Sequence, residues 1–323
     1  MVLSYEFSIG SVRVKEKNLL SLADYEQMLN FKSKSELLRF LKDKGYGEGE
    51  TLDEILDSNR EKMWRYIKST APDFSIFDPF FLQNDNHNLK TVLKGLMYEK
   101  DYTDLIIAPY TIKPEEMKKA IENKKFSVLP EWLAPSAEEA YQLLAQTRDA
   151  RLSDAVLDRA VLEKMNVESK KSKSDFLTRY FNTVIFYANI KIALRAARLK
   201  PSKQFLDIAL CDCERFDKDM VITKTLMGNE VLIKYLEKVD AYDCQKAIKH
   251  YTEKSEELEK FVDNKLMALA KQECKLTSEG AEPLFGYYTG CEYERKAIHM
   301  IASGIVTQTP PEQIRERLRD IYG

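Results

Sequence analysis

EPLFGYYTGCEYERKAIHMIASGIVTQTPPEQIRERLRDIYG, residues Glu282 to Gly323, reads as two helices joined by a short turn. The first carries Tyr287, Tyr288, Glu292, Glu294, Arg295, Ile298 and Ile301. It is expected to end near Gly304, a residue type suited to a helix C-terminus. The second opens at Thr309-Pro310-Pro311-Glu312, which reads as a capping box with proline in the first turn, where its missing N–H costs nothing. Ile314, Leu318 and Ile321 then recur at helical spacing down one face.

Weaker versions of the first of these helices occur twice earlier. Asn88-Leu89-Lys90-Thr91-Val92-Leu93-Lys94-Gly95 follows Phe80-Phe81, and Asn189-Ile190-Lys191-Ile192-Ala193-Leu194-Arg195-Ala196 follows Tyr180-Phe181. The C-terminal copy is Ala297-Ile298-His299-Met300-Ile301-Ala302-Ser303-Gly304, after Tyr287-Tyr288. Each has a branched aliphatic side chain second, a basic or imidazole group third and Gly or Ala eighth. Positions one, five and eight fall on one helical face, so each copy presents a stripe that ends in a small residue. Ordinary close helix packing accounts for any one copy. Three copies about a hundred residues apart imply three related helical units, read here as residues 1–112, 113–219 and 220–323.

Composition agrees with an all-α chain. Eleven glycines and ten prolines in 323 residues are few breakers, and 32% of the residues are charged. A net charge of −2 lacks the basic footprint of a nucleic-acid binder. Residues 1–10 lack the basic start and apolar run of a signal peptide, and no run approaches the length of a membrane span. A soluble protein is therefore expected. The five cysteines read as reduced, structural thiols, since Cys211-x-Cys213 is not a common metal or redox spacing.

Helix signals recur along the chain. Ser33-x-x-Glu36, Thr51-x-x-Glu54 and Ser136-x-x-Glu139 read as capping boxes, and Pro114 reads as a helix start with acid in its first turn. Gly45-Tyr46-Gly47-Glu48-Gly49 is glycine-rich, but no strand precedes it and no Lys-Ser/Thr follows. It reads as a turn and not as a phosphate loop. Residues 174–199 form the second repeat helix. There Lys191, Arg195 and Arg198 stand at i, i+4 and i+7, a basic stripe that is either a solvated face or a partner-contacting one. Residues 243–272 read as one long amphipathic helix.

No catalytic constellation emerges. The three histidines, His87, His250 and His299, lack the spacing of zinc or di-iron ligands, and no nucleophile elbow or Walker loop is present. Glu292 and Glu294 are two apart and diverge on a helix, a poor acid/base pair. No catalytic, cofactor-binding or metal-ligating residue is assigned. On residues alone, a helical adaptor that binds another protein stays open as an alternative. A helical-bundle enzyme would require an inward acid cluster, which the pattern does not offer.

The chain resembles the C-subunit family of V/A-type ATPases, relatives of the d-type subunit of eukaryotic V-ATPases. The matching pieces are Val12-Arg13-Val14-Lys15 with Leu19-Leu20, Gly45-Tyr46-Gly47, and Asp85-x-His87-Asn88-Leu89-Lys90 with Leu93-Lys94. Asn189-Ile190-Lys191, Tyr288…Glu292-Tyr-Glu294-Arg295-Lys-Ala-Ile298 and Pro311-x3-Ile314 follow in order. One departure stands out: relatives often carry an acid three residues before the second asparagine, where this chain has Phe186. The resemblance implies three similar helical domains in a funnel-like pseudo-threefold arrangement. It implies a non-catalytic rotor component that joins the central stalk (D- and F-type subunits) to the membrane rotor ring of a proton or sodium pump or ATP synthase. Such a component binds neither nucleic acid nor nucleotide, needs no cofactor, and is cytoplasmic, reaching the membrane only through the complex. Lys191, Arg195 and Arg198 are the candidate partner contacts.

Overall fold

The computed structural model describes residues 4–199, 201–253 and 255–323. Over them the chain is all-α, with sixteen α-helices, three 3-10 turns and one isolated bridge between Cys213 and Phe216. The first four helices are α1 (Tyr5–Glu16), α2 (Leu22–Leu29), α3 (Lys34–Asp43) and α4 (Leu52–Thr70). Then come α5 (Asp78–Tyr98), α6 (Pro114–Glu122), α7 (Ala134–Thr147), α8 (Ala150–Lys171) and α9 (Asp175–Leu199). The third group is α10 (Lys203–Ala209), α11 (Lys218–Met227), α12 (Asn229–Val239) and α13 (Ala241–Glu253). The last three are α14 (Ser255–Cys274), α15 (Glu282–Val306) and α16 (Pro311–Arg317).

The chain divides into two compact units, Met1–Phe74 with Glu256–Gly323 and Ser75–Ser255. The first is built from both ends of the sequence. Leu37 and Leu41 of α3 and Ile55 and Leu56 of α4 share one buried cluster with Ile298 and Ile301 of α15 and Ile314 of α16. Hydrogen bonds join the ends as well: Arg13 donates to the carbonyls of Cys274 (2.8 Å) and Thr277 (2.6 Å), and Tyr322 donates to Glu16 (3.1 Å). In the second unit a core centred on Leu89, Val92 and Leu93 of α5 takes in Met117 and Ile121 of α6, Leu144 of α7 and Val156 and Leu157 of α8.

Local signals set several of the boundaries. Thr51 and Glu54 form the reciprocal box at the start of α4. Ser33 caps α3, although the Glu36 carboxylate accepts from Lys32 N–H instead of the cap's own. Beyond the end of α3, Gly45 adopts φ +80°, a left-handed conformation that glycine takes without strain. Pro114 opens α6 as read.

Three local readings change. α7 starts at Ala134, so Ser136 already lies inside it; Leu133 and Ala134 donate their N–H groups to the Pro130 carbonyl, and no side chain caps the helix. Thr309 does not cap α16. Its hydroxyl pairs with Thr307 (2.8 Å), its N–H bonds to Gly304 (2.9 Å), and Pro310 takes the cap position. That helix ends at Arg317, leaving Leu318 extended and Ile321 beyond it. Residues 243–253 and 255–272 are helical, as read, and Lys254 lies outside the described residues.

The small eighth positions are packed, though not as helix stops. α15 continues two residues past Gly304, and a Cβ there would lie 2.3 Å from Ile314 Cδ1. At Gly95 a Cβ would lie 2.1 Å from Tyr102 Cδ1, and Ala196 is buried. By contrast, Gly10 lies inside α1 with nothing within 4 Å of its would-be Cβ. Urea unfolding should separate these cases. Gly95→Ala is expected to cost about 1–3 kcal/mol by overpacking, while Gly10→Ala gains up to about 1 kcal/mol of helix propensity. Equal midpoints for Gly95→Ala and wild type would show that Tyr102 yields its place.

Candidate functional site

Each long repeat helix holds down the segment that leads into a following short helix, and buried polar groups do most of it. On α5 the Asn88 amide donates to the Ile107 carbonyl (2.9 Å) and accepts from Ile107 N–H (2.8 Å). On α9 Asn189 does the same with Cys211, both at 3.1 Å. Both asparagines are fully buried and occupy position one of their copies. A side-chain amide offers one donor and one acceptor, so it can complete both backbone groups of one residue that no helix or strand satisfies.

One turn earlier on α5, Asp85 accepts from Thr111 N–H (2.9 Å), Thr111 Oγ1 (2.6 Å) and Ile112 N–H (3.1 Å). Ile112 immediately precedes Lys113, the N-cap of α6. The equivalent acid on α15 is Glu294. It accepts from Leu20 N–H and from the Tyr46 hydroxyl (2.7 Å), and Leu20 immediately precedes Ser21, the N-cap of α2. Phe186 holds the corresponding place on α9. Its ring packs 6.0 Å from that of Phe216, which precedes Asp217, the N-cap of α11. An aromatic contact thus replaces the carboxylate–amide contact. The Arg215 guanidinium stacks 3.6 Å from the Phe186 ring centroid and is held by Asp243 (2.8 Å) and Asp240.

Burial sets the electrostatics. Glu294, 6% exposed, has its carboxyl pushed up to about 7 by desolvation, against the pull of Tyr46 and Leu20. Desolvation also raises Asp85, opposed by Thr111 and Ile112, and raises the Cys291 thiol. Glu292 turns to Arg60 (2.8 Å), so the two neighbouring carboxylates diverge as their spacing implies. His299 lies 4.0 Å from Asp53, its pKa lowered by burial and by Arg295. Among the described residues no group of three histidine, cysteine or carboxylate side chains is placed to hold a metal ion, and no helix is long and apolar enough to cross a membrane.

The basic stripe lies on α9. In the first copy the two equivalent bases are consumed internally, Lys90 by Asp158 (2.5 Å) and Lys94 by Asp154 (2.7 Å), both on α8. In the second copy Lys191 is half-buried, whereas Arg195 is exposed and has no ion pair among the described residues. Arg198 lies 4.4 Å from the ring centroid of Tyr251 on α13, so part of the stripe is engaged within the protein. Sequence reasoning missed the acceptor roles of Asp85 and Glu294. A polar residue one turn before a buried position of the repeat was the available signal.

The described residues form α-helices and no strands, and three of the long helices, α5, α9 and α15, each hold a segment that leads into a short helix, which makes this an all-helical protein. The chain belongs to the ATP synthase (C/AC39) subunit family, which it matches over residues 8–317. It is 22% identical over 318 residues to the C subunit of the V-type sodium ATPase of Enterococcus hirae, covering 96% of this chain and 97% of that one. It is 24% identical over 352 residues to the C subunit of the A-type ATP synthase of Methanocaldococcus jannaschii, covering 97% and 86%. The protein is thus a subunit of an ATPase of this type.

The buried acid gives stability a pH dependence. Glu294 contributes most where it is neutral in both states, below about pH 4.5, and stability falls as pH rises through about 7, because the native state must then bury the anion. At about 1.4 kcal/mol per pK unit the fall is about 3 kcal/mol. Glu294→Gln, which keeps an acceptor for Leu20, should flatten this slope in urea titrations between pH 5 and 8. Asn189→Ala, which orphans both backbone groups of Cys211, should cost about 1–3 kcal/mol at any pH; an unchanged midpoint would show that water replaces the amide.

Proposed function

We propose that the protein is a non-catalytic rotor subunit, a socket or spacer that couples the central stalk to the membrane rotor ring of a V/A-type ATPase. Its partners are then the D- and F-type stalk subunits and the ring, and it lies in the cytoplasm, peripheral to the membrane through the complex. The observation that carries this reading is the family match over residues 8–317, made by a chain whose polar groups fasten its own backbone. Three units, each centred on α5, α9 or α15, belong to the same proposal, as does the funnel-like pseudo-threefold arrangement. The fastening pattern supports them: it groups α15 with α2 just as it groups α5 with α6 and α9 with α11.

A rotor component that transmits torque without covalent bonds needs surface charge free to meet its partner. Arg195 supports the α9 stripe in that role, because its counterpart Lys94 is neutralised internally and Arg195 is not. Contacts of this kind are screened by salt. Lys191→Glu/Arg195→Glu/Arg198→Glu should fold and yet lose stalk affinity in pull-downs at low ionic strength. In the assembled complex, ATP hydrolysis by the head should persist while ion pumping falls. Since Arg198 stacks on Tyr251, Lys191→Glu/Arg195→Glu serves as the milder variant. Wild-type stalk binding by both variants would make the stripe a solvated face.

The same reading requires that the isolated chain does not bind nucleotide. Calorimetry with Mg-ATP should register no stoichiometric site, and a micromolar one would overturn the non-catalytic assignment.

A further inference from the structure

The unit formed by the two chain ends contains a cleft of about 660 Å³ that none of the fastening contacts fills. The end of α1 brings Lys15 and Lys17 to its lining, α4 brings Lys62 and Tyr66, and α15 brings Tyr287, with Glu294 also on the lining. Tyr46 and Glu294, the fastened pair, are buried there.

The charge in this cleft is unbalanced. Lys44 and Asp24, also on the lining, neutralise each other at 2.6 Å. Lys15, Lys17 and Lys62 are exposed and make no ion pair among the described residues. Lys15 lies 5.2 Å from the Tyr66 ring centroid, and Lys62 reaches only two backbone carbonyls, those of Gly45 (3.4 Å) and Tyr46 (3.5 Å). Against these three ammonium groups stand Asp43 and Glu294, the latter already occupied by Tyr46 and the Leu20 N–H.

We propose that this cleft is a docking site for an acidic segment of a partner polypeptide, with carboxylates meeting Lys15, Lys17 and Lys62 and apolar side chains lying against Leu19, Met63 and Tyr66. Three features favour a chain segment over a compact phosphate. No arginine lines the cleft, so the bidentate fork that recognises phosphate is missing. The Gly45 and Tyr46 carbonyls beside Lys62 and the Asp43 carboxylate would repel a dense polyanion, whereas separated carboxylates can be spaced between them. The lysines come from two different helices, and the lining between them includes aromatic and aliphatic side chains, a surface for an amphipathic acidic peptide. The proposal concerns the isolated chain and does not depend on the rotor assignment.

The test is a titration of the full-length chain with an acetylated, amidated octapeptide of alternating glutamate and leucine, followed by isothermal titration calorimetry at low salt. Saturable binding should weaken at least tenfold on raising the salt from 20 to 200 mM, with Lys15→Glu/Lys62→Glu weakening it at least tenfold again. Lys15→Gln/Lys62→Gln, which adds no repulsion, should give an intermediate loss, and circular dichroism checks that each variant is folded. Lys191→Glu/Arg195→Glu should leave peptide binding unchanged, which separates this cleft from the α9 stripe. The proposal is overturned if the wild-type chain fails to bind, if the cleft variants bind as wild type does, or if pyrophosphate displaces the peptide at equal concentration. Failure of stalk binding with peptide binding intact would count against the rotor reading alone.

Discussion

A backbone that leaves one helix and enters the next inside a protein must have its N–H and C=O groups satisfied, and this fold meets that demand with side chains from its longest helices. Asn88 and Asn189 each close both groups of one residue, while Asp85 and Glu294 take the N–H just ahead of a helix cap. Without them Ile107, Cys211, Ile112 and Leu20 would hold polar groups away from water at a cost of about 1–3 kcal/mol each. The short helices α2 and α6 are held by these bonds in addition to their buried apolar faces.

Phe186 shows that the demand is geometric before it is chemical. A ring against Phe216 fixes the approach to α11 where an acid fixes the approaches to α2 and α6. With a phenylalanine there α9 buries no carboxylate at this place, and the ring is covered by Arg215, itself tied by Asp240 and Asp243. What is common to the three copies is a contact one turn before the repeat's first position, not a residue type.

Much of this was legible in the sequence. Periodicity and the scarcity of breakers gave the helical class, and the three copies located α5, α9 and α15. The Thr51–Glu54 box and Pro114 marked their helix starts. Two other boxes misled, because Ser136 and Thr309 had competitors that a local pattern does not contain: the Pro130 carbonyl turn and the Thr307 hydroxyl. Gly304 resembled a helix stop because a glycine needed for close approach and one needed for left-handed backbone are the same letter; only the position of Ile314 tells them apart. The acceptor roles of Asp85 and Glu294 were hidden for another reason. Their partners lie 26 and 274 residues away, and no periodicity links them.

That last separation bears on how the protein is made. The N-terminal helices leave the ribosome with Leu37, Leu41, Ile55 and Leu56 facing a core whose other half, Ile298 and Ile301, is synthesised far later. At about 5–20 residues per second, the interval between Leu20 and Glu294 is roughly 15–55 s. Ser75–Ser255, a continuous segment, can fold within that time, whereas the unit made from the two ends waits for almost the whole chain. The apolar faces of Leu37, Leu41, Ile55 and Leu56 therefore stay uncovered until α15 has been made, and these early helices stand to gain from a chaperone in that interval.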